Sequence, residues 1–225
     1  MTRSLTILTH LIRMRMIKIP ADYHEKHNFF VISTVVDEPI DWRTVFGNDN
    51  PVHLEIGAGK GEFISGIAAR NPDINYVAVE LKHKRIVTIL KKLNIDVHRN
   101  VRLMELCLDE TIGEKILLHS IDCIYIQHPD PWPKRKHHKN RLIQQEFLDC
   151  LSSMLKMDGR IELSTDHTGY RDWIIGKFKD RDDFVSLFAD GYSLTPGDEH
   201  IITFFETEKR KEGFEPCFMK YKKVR

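Results

Sequence analysis

Five times after residue 50 a short apolar run gives way to a run with helical spacing, and this alternation restricts the fold more than any other feature. "VHLEIG" precedes "KGEFISGIAARNP", "INYVAVEL" precedes "KHKRIVTILKKLNI", and "NVRLMELCL" precedes "ETIGEKILLHS". "IDCIYIQ" leads, after a basic loop, to "RLIQQEFLDCLSSMLKMDG", and "RIELSTD" leads to "YRDWIIGKFKD". Strands alternating with helices build a mostly parallel sheet with helices on both faces, because each parallel crossover needs a long connection and the helix supplies it. The final stretch, "FVSLFAD" to "PCFMKYKK", loses the alternation and is expected to add two strands as a hairpin-like end, for seven in all.

A chain of 225 residues has room for one such α/β domain and not for two comparable cores. Residues 45–225 are expected to form it, with residues 1–44 as a partly flexible N-terminal extension. The opening "MTRSLTILTHLIRMRMIKIP" holds His10 within its apolar stretch and reaches no small-residue cleavage site, so it does not read as a signal peptide. No run approaches the roughly 18 apolar residues of a membrane span. The cysteines Cys107, Cys123, Cys150 and Cys217 are far apart with no C-x-x-C pair, which fits thiols of a reducing cytoplasm and neither a zinc site nor a disulfide framework. With 34 basic and 33 acidic residues, any polyanion must be met by a local basic patch.

Sheets of this kind bind ligands beyond the carboxyl ends of their strands, so the strand-ending residues are the informative ones. "LEIGAGKGEF" sets Glu55 two residues before a G-x-G-x-G turn made by Gly57, Gly59 and Gly61. Glycines let backbone approach a ligand, but the third is misplaced for a dinucleotide fingerprint, and an acid ahead of the turn is awkward beside pyrophosphate. It suits S-adenosylmethionine, which carries an ammonium and a sulfonium and has no phosphate. Glu80 ends the second strand 19 residues after Gly61, where a carboxylate can accept both ribose hydroxyls. The plain alternative, surface acids beside a tight turn, is weakened by their placement on consecutive strand ends.

The fourth strand ends in "QHPDPWPKRKHHKNR", residues 127–141. Its prolines fix φ and forbid ladder hydrogen bonds, so the chain leaves the sheet as a rigid arch that presents Asp130. Between Pro131 and Gln145 there is no acid, while Lys134, Arg135, Lys136, Lys139 and Arg141 are positive, as a phosphate backbone requires. His137 and His138 are adjacent and cannot share a metal from one helix face, so no metal is expected. A proline turn with a packed Trp132 and a solvated basic loop is the plainer reading of the same stretch.

Together "LEIGAGKGEF", "PDPWPKRKHHKNR", "STDHTGY" and "TFFETEKRKEG" resemble the tRNA (guanine-N7-)-methyltransferases, from about Val45 to Lys222. The resemblance implies a Rossmann-like class I methyltransferase fold, cytoplasmic location and transfer of a methyl group from S-adenosylmethionine to N7 of the guanine at position 46 in the tRNA variable loop. It implies that Glu55, Gly57, Gly59, Glu80, Cys107 and Asp130 bind the cofactor, that Asp130 is also catalytic, and that Lys134, Asp166, Thr203, Phe204, Phe205 and Glu206 bind tRNA. It leaves a monomer or a homodimer open. Cys107 and Leu108 stand where the family usually has asparagine or aspartate and then alanine, with Asp109 two residues late. Gln127 and His128 replace the usual asparagine or leucine and phenylalanine, and Asn140 replaces the first arginine of a typical K-R-R. A small-molecule methyltransferase would keep the first site but has no use for the acid-free loop, and a non-catalytic RNA-binding module would have no use for Glu55 and Glu80.

Overall fold

In the computed structural model, which describes residues 19–35, 38–197 and 199–225, the strands are β1 (Val52–Ile56), β2 (Asn75–Glu80), β3 (Val101–Glu105), β4 (Ile121–Gln127), β5 (Leu155–Thr165), β6 (Phe184–Ser186) and β7 (Cys217–Lys223). They form one sheet in the order β3-β2-β1-β4-β5-β7-β6, with β1 to β5 parallel and β7 antiparallel to both its neighbours. The helices are α1 (Tyr23–Phe30), α2 (Trp42–Phe46), α3 (Glu62–Arg70), α4 (His83–Lys92), α5 (Gln145–Met154), α6 (Thr168–Lys179) and α7 (Phe204–Lys211). The α/β, Rossmann-like, mostly parallel seven-stranded architecture is the one the alternation of runs implies.

Period-two alternation sorts the strand side chains onto two faces. Leu54, Ile56, Val77 and Val79 pack with Leu148, Leu151 and Ile174 of α5 and α6, while Tyr76, Ala78 and Tyr125 pack with Phe63, Ile67, Ile86 and Leu90 of α3 and α4. A single sheet thus serves two apolar layers, which explains why β1 and β2 are buried at every position.

Three expectations change. "ETIGEKILLHS" makes only a 3-10 turn, Glu110–Glu114, capped by Asp109, whose carboxylate accepts from the Thr111 N–H at 3.1 Å. Gly113 sits so close to α5 that a Cβ there would lie 2.9 Å from Cys150 Sγ, and Ile116 leaves the turn to bridge Ile40. The apolar spacing of Ile112 and Ile116 is therefore met without a helix. Next, β6 and β7 pair antiparallel but are joined by about 30 residues that include α7, so no hairpin is formed. Finally, part of residues 1–44 joins the core: Phe30 and Trp42 are buried, and Val31 bridges Leu103 on the outer strand. Residues 1–18, on which the signal-peptide reading and much of the flexibility expectation rest, lie outside the described residues.

The strand order reverses between β1 and β4. Their carboxyl ends diverge there into loops that run to opposite sides, leaving a crevice.

Candidate active site

Two adjoining clefts of about 660 and 420 Å³ open at this reversal, and Gly57, Gly59, Arg85, Gln127, His128 and Asp130 line both. The floor is the glycine turn. Gly57, Gly59 and Gly61 take φ of 81°, 57° and 76°, left-handed values open to glycine at little cost. The turn hangs from the end of β2: the N–H groups of Gly57 and Ala58 donate to Val79 O at 2.9 and 3.1 Å, and the Gly59 N–H donates to Glu80 Oε2 at 3.0 Å. These amides, which would cradle a phosphate in a dinucleotide site, are already satisfied within the chain.

Glu80 also accepts from the Lys82 N–H at 2.9 Å, through Oε1. A carboxylate offers about four acceptor directions, so each oxygen keeps a lone pair for a hydroxyl. Glu55 is 2% exposed, and its Oε2 has no hydrogen-bond partner. Burial, reinforced by the charges of Glu80 and Glu62 and opposed by the Ile64 backbone, pushes its carboxyl up to about 8. A buried acid with an unpartnered oxygen at a cleft floor is stabilised in its charged form by an entering cation. That donor set fits the ammonium of S-adenosylmethionine, and the remaining lone pairs of Glu80 suit hydroxyl donors such as those of a ribose.

The segment after β3 differs from the sequence expectation. Cys107 is exposed and lines neither cleft, while Leu108 and Asp109 line the larger one. The Asp109 carboxylate, hydrogen-bonded to Thr111 and Cys107, sits below the usual range, and the Cys107 thiol is pushed up by the same contact. Cys107 therefore faces solvent with a local partner, and its neighbours meet the cleft.

The arch after β4 is backbone-strained at two non-glycine residues, His128 with φ 47° and Trp132 with φ 42°. Such values persist only where the surroundings enforce them. Here the His128 N–H donates to Ser164 O at 3.0 Å, and Arg141 Nε donates to Pro131 O at 2.9 Å. Arg141 is buried between the rings of Tyr170 and Trp173, at 5.1 and 4.9 Å from their centroids, and so braces the arch instead of facing solvent. This corrects its place among the phosphate-facing cations. Asp130 is exposed at the crown, Trp132 stands in the larger cleft edge-to-face with His137, and Lys134 is an exposed residue at the head of the 3-10 turn Arg135–Asn140.

Asp166, at the end of β5, lies 3.6 Å from His128 Nδ1, a separation longer than a hydrogen bond but within ion-pair reach, and His128 holds its carboxyl below the usual range. Thr203, Phe204 and Phe205 line the smaller cleft at the head of α7, where Thr203 caps the helix by accepting from the Glu206 N–H at 3.2 Å. Phe204 and Phe205 are exposed, with Lys60 Nζ 4.4 Å above the Phe204 ring. Glu206 differs from expectation: it is 1% exposed and sits between His200 at 2.8 Å and Arg210 at 2.7 Å. Burial raises its carboxyl, but those two partners prevail and hold it low. It anchors α7 and does not face the cleft.

Sequence reading missed Arg85, which lines both clefts from α4, and Trp173, whose indole N–H donates to Ile143 O at 2.8 Å and braces Arg141. Arg85 belongs to a basic helix start that reads as solvated surface, and Trp173 to an ordinary amphipathic helix. Among the described residues no group of three His, Cys, Asp or Glu side chains is placed to hold a metal, and no helix is long and apolar enough to cross a membrane.

A Rossmann-like sheet with two strand-end acids on a glycine turn and a proline arch opposite defines an S-adenosylmethionine-dependent class I methyltransferase. Solved structures agree on the fold: the antibiotic-resistance methyltransferase Kmr superposes with a TM-score of 0.57 at 12% identity over 82% of this chain and 92% of its own. An rRNA methylase from Streptococcus thermophilus superposes at 0.54 and 13% identity over 85% and 99%. A family profile described as "Putative methyltransferase" matches residues 49–215. The tRNA (guanine-N(7)-)-methyltransferase of Bacillus licheniformis is 36% identical over 90% of this chain and 87% of its own, and that of Bacillus subtilis 37% over 75% and 78%. The chain belongs to the tRNA (guanine-N(7)-)-methyltransferase family.

Proposed function

We propose that this protein transfers a methyl group from S-adenosylmethionine to N7 of a tRNA guanine, the one at position 46 of the variable loop, in the cytoplasm. The observation that carries the reading is the pairing, across one crevice, of the buried, unpartnered Glu55 carboxylate with the exposed Asp130 on its braced arch. Glu55 selects a cationic ligand that lacks phosphate. Bound there, S-adenosylmethionine supplies an electrophilic methyl group on its sulfonium.

Guanine N7 carries an unprotonated lone pair, so the chain needs no general base and its work is alignment and exclusion of water. The purine becomes cationic as the methyl arrives, and a nearby carboxylate stabilises that charge more than it stabilises the neutral base. Asp130 takes this role because the arch fixes it at the rim shared by both clefts. Glu55 and Glu80 hold the donor over Gly57 and Gly59, with Leu108 and Asp109 taking the adenine-side position first assigned to Cys107. Lys134 takes a phosphate, while Asp166, Thr203, Phe204 and Phe205 receive the exposed nucleotide and Glu206 acts through α7. The site is built from one chain, so the reading holds for a monomer or a homodimer. We also place the domain boundary ahead of Tyr23 and not at residue 45, since α1 and α2 contribute core residues.

The test is to incubate the purified protein with methyl-labelled donor and bulk tRNA, digest the RNA and identify the labelled nucleoside. N7-methylguanosine is expected. Label in another nucleoside, or in no RNA at all, overturns the reading.

A further inference from the structure

His128 combines three features that the reaction as described does not use. Its backbone is held at φ 47°, its side chain is 5% exposed, and neither ring nitrogen has a hydrogen-bond partner. A buried imidazole with two unsatisfied nitrogens is costly unless a ligand completes it. His128 lines both clefts and lies two residues from Asp130. Nδ1 faces Asp166 at 3.6 Å, which leaves Nε2 as the buried nitrogen with no polar group paired to it. Phe205 packs on the ring at 5.0 Å between centroids and is itself 44% exposed.

We propose that His128 is a specificity-determining residue that reads the O6 atom of the target guanine. The inference rests on the function proposed above. Guanine presents N7 and O6 side by side on one edge, both as acceptors, whereas adenine presents N7 beside an amino donor. A group flanking the approach to N7 therefore meets O6, and N7 itself must stay free of any donor if it is to accept a methyl. A His128 N–H beside that approach accepts guanine and opposes adenine. With a proton on each ring nitrogen, Nδ1–H faces Asp166 and Nε2–H faces the base. The His128 and Asp166 charges then cancel, leaving Asp130 to face the positive charge that develops on the purine. The other charged groups lining the smaller cleft are Glu55, Glu62 and Glu208 and the cations Lys60 and Arg85, and the Asp166 carboxyl also feels Lys209.

The experiment compares kcat/KM for one tRNA carrying guanine, 2-aminopurine or inosine at the target position. 2-Aminopurine keeps N7 and the 2-amino group but lacks O6, and inosine keeps N7 and O6 but lacks the 2-amino group. For wild type, guanine is expected to be preferred over 2-aminopurine by about tenfold or more, the scale of one hydrogen bond to a charged donor. His128→Phe should collapse that preference while leaving the guanine to inosine ratio within about twofold. His128→Asn, which tolerates left-handed φ and keeps a donor, should restore part of it. Equal loss on all three bases would make His128 a packing residue, and a changed inosine ratio would place it on the other edge of the base; either result overturns the proposal. Donor binding and thermal unfolding of each variant check that the fold is retained, and if His128→Phe does not fold, His128→Asn against wild type carries the comparison. Absence of N7 methylation by wild type would instead remove the function on which the proposal rests.

Discussion

Glu55 shows how one residue ties stability to ligand. Its carboxyl is raised from 4.5 to about 8 by burial and by the charges of Glu80 and Glu62. A raised acid holds its proton in the folded state at pH values where the unfolded chain has lost it, so the fold binds more protons across that window. Stability therefore falls as pH rises from about 4.5 to about 8. Glu55→Gln should abolish this fall and be more stable than wild type near pH 8 by about 1.4 kcal/mol for each pH unit of that window, because an amide has no proton to lose. The same variant should bind the methyl donor about tenfold or more weakly, because an amide cannot carry the charge that meets an ammonium. Urea unfolding across the window and calorimetric titration with the donor check both halves. A variant that gains no stability and binds normally would mean that Glu55 is paired in solution.

At the scale of elements, the arch after β4 divides a run of similar-looking cations into two kinds. Lys134→Ala should weaken tRNA binding and lower the slope of log affinity against log salt by about one, as loss of one phosphate contact does. Arg141→Ala should leave that slope unchanged and instead lower turnover and melting temperature, since Arg141 holds Pro131 O and lies between Tyr170 and Trp173. Filter binding at several salt concentrations separates the two, and a unit drop for both would put Arg141 on the RNA. The sequence alone could not separate them, because burial of Arg141 depends on a tryptophan 32 residues away on α6. Glu206 escaped for a related reason: Arg210 is its i,i+4 neighbour within α7, but its burial and its contact with His200 arise only once α7 packs. What was legible was local. Each strand-end acid closes a single apolar run, the glycine turn and the proline arch each lie within about ten residues of chain, and all line the crevice. The region after β3 was misread because the apolar pair Ile112 and Ile116 mimics a helical face that the close approach of Gly113 to Cys150 replaces with a tight turn.

At the scale of the molecule, the methyltransferase unit includes more of the N-terminus than periodicity shows. Phe30 is fully buried beside Leu103 and Ile86, and Trp42 donates to Ser120 Oγ at 3.2 Å from the other layer. A chain beginning at residue 45 should therefore aggregate or melt well below the full-length protein. Phe30→Ala alone should cost about 3 to 5 kcal/mol. Chemical denaturation of both would show it, and a full-length melting curve from the truncated chain would return the boundary to residue 45. The proposed site likewise depends on long-range pairing, since Glu55 and Glu80 on one side of the strand reversal and Asp130 on the other meet only when β2, β1 and β4 lie side by side. The most direct measurement is single-turnover methyl transfer by Asp130→Asn with saturating donor and tRNA, beside a tRNA whose target guanine is replaced by 7-deazaguanine. The variant should retain most donor and tRNA affinity yet transfer the methyl group more slowly by about 10²-fold or more, with no rescue at higher pH, and the deaza tRNA should bind and take no methyl. Near-normal transfer by Asp130→Asn, or any methylation of the deaza base, would contradict it.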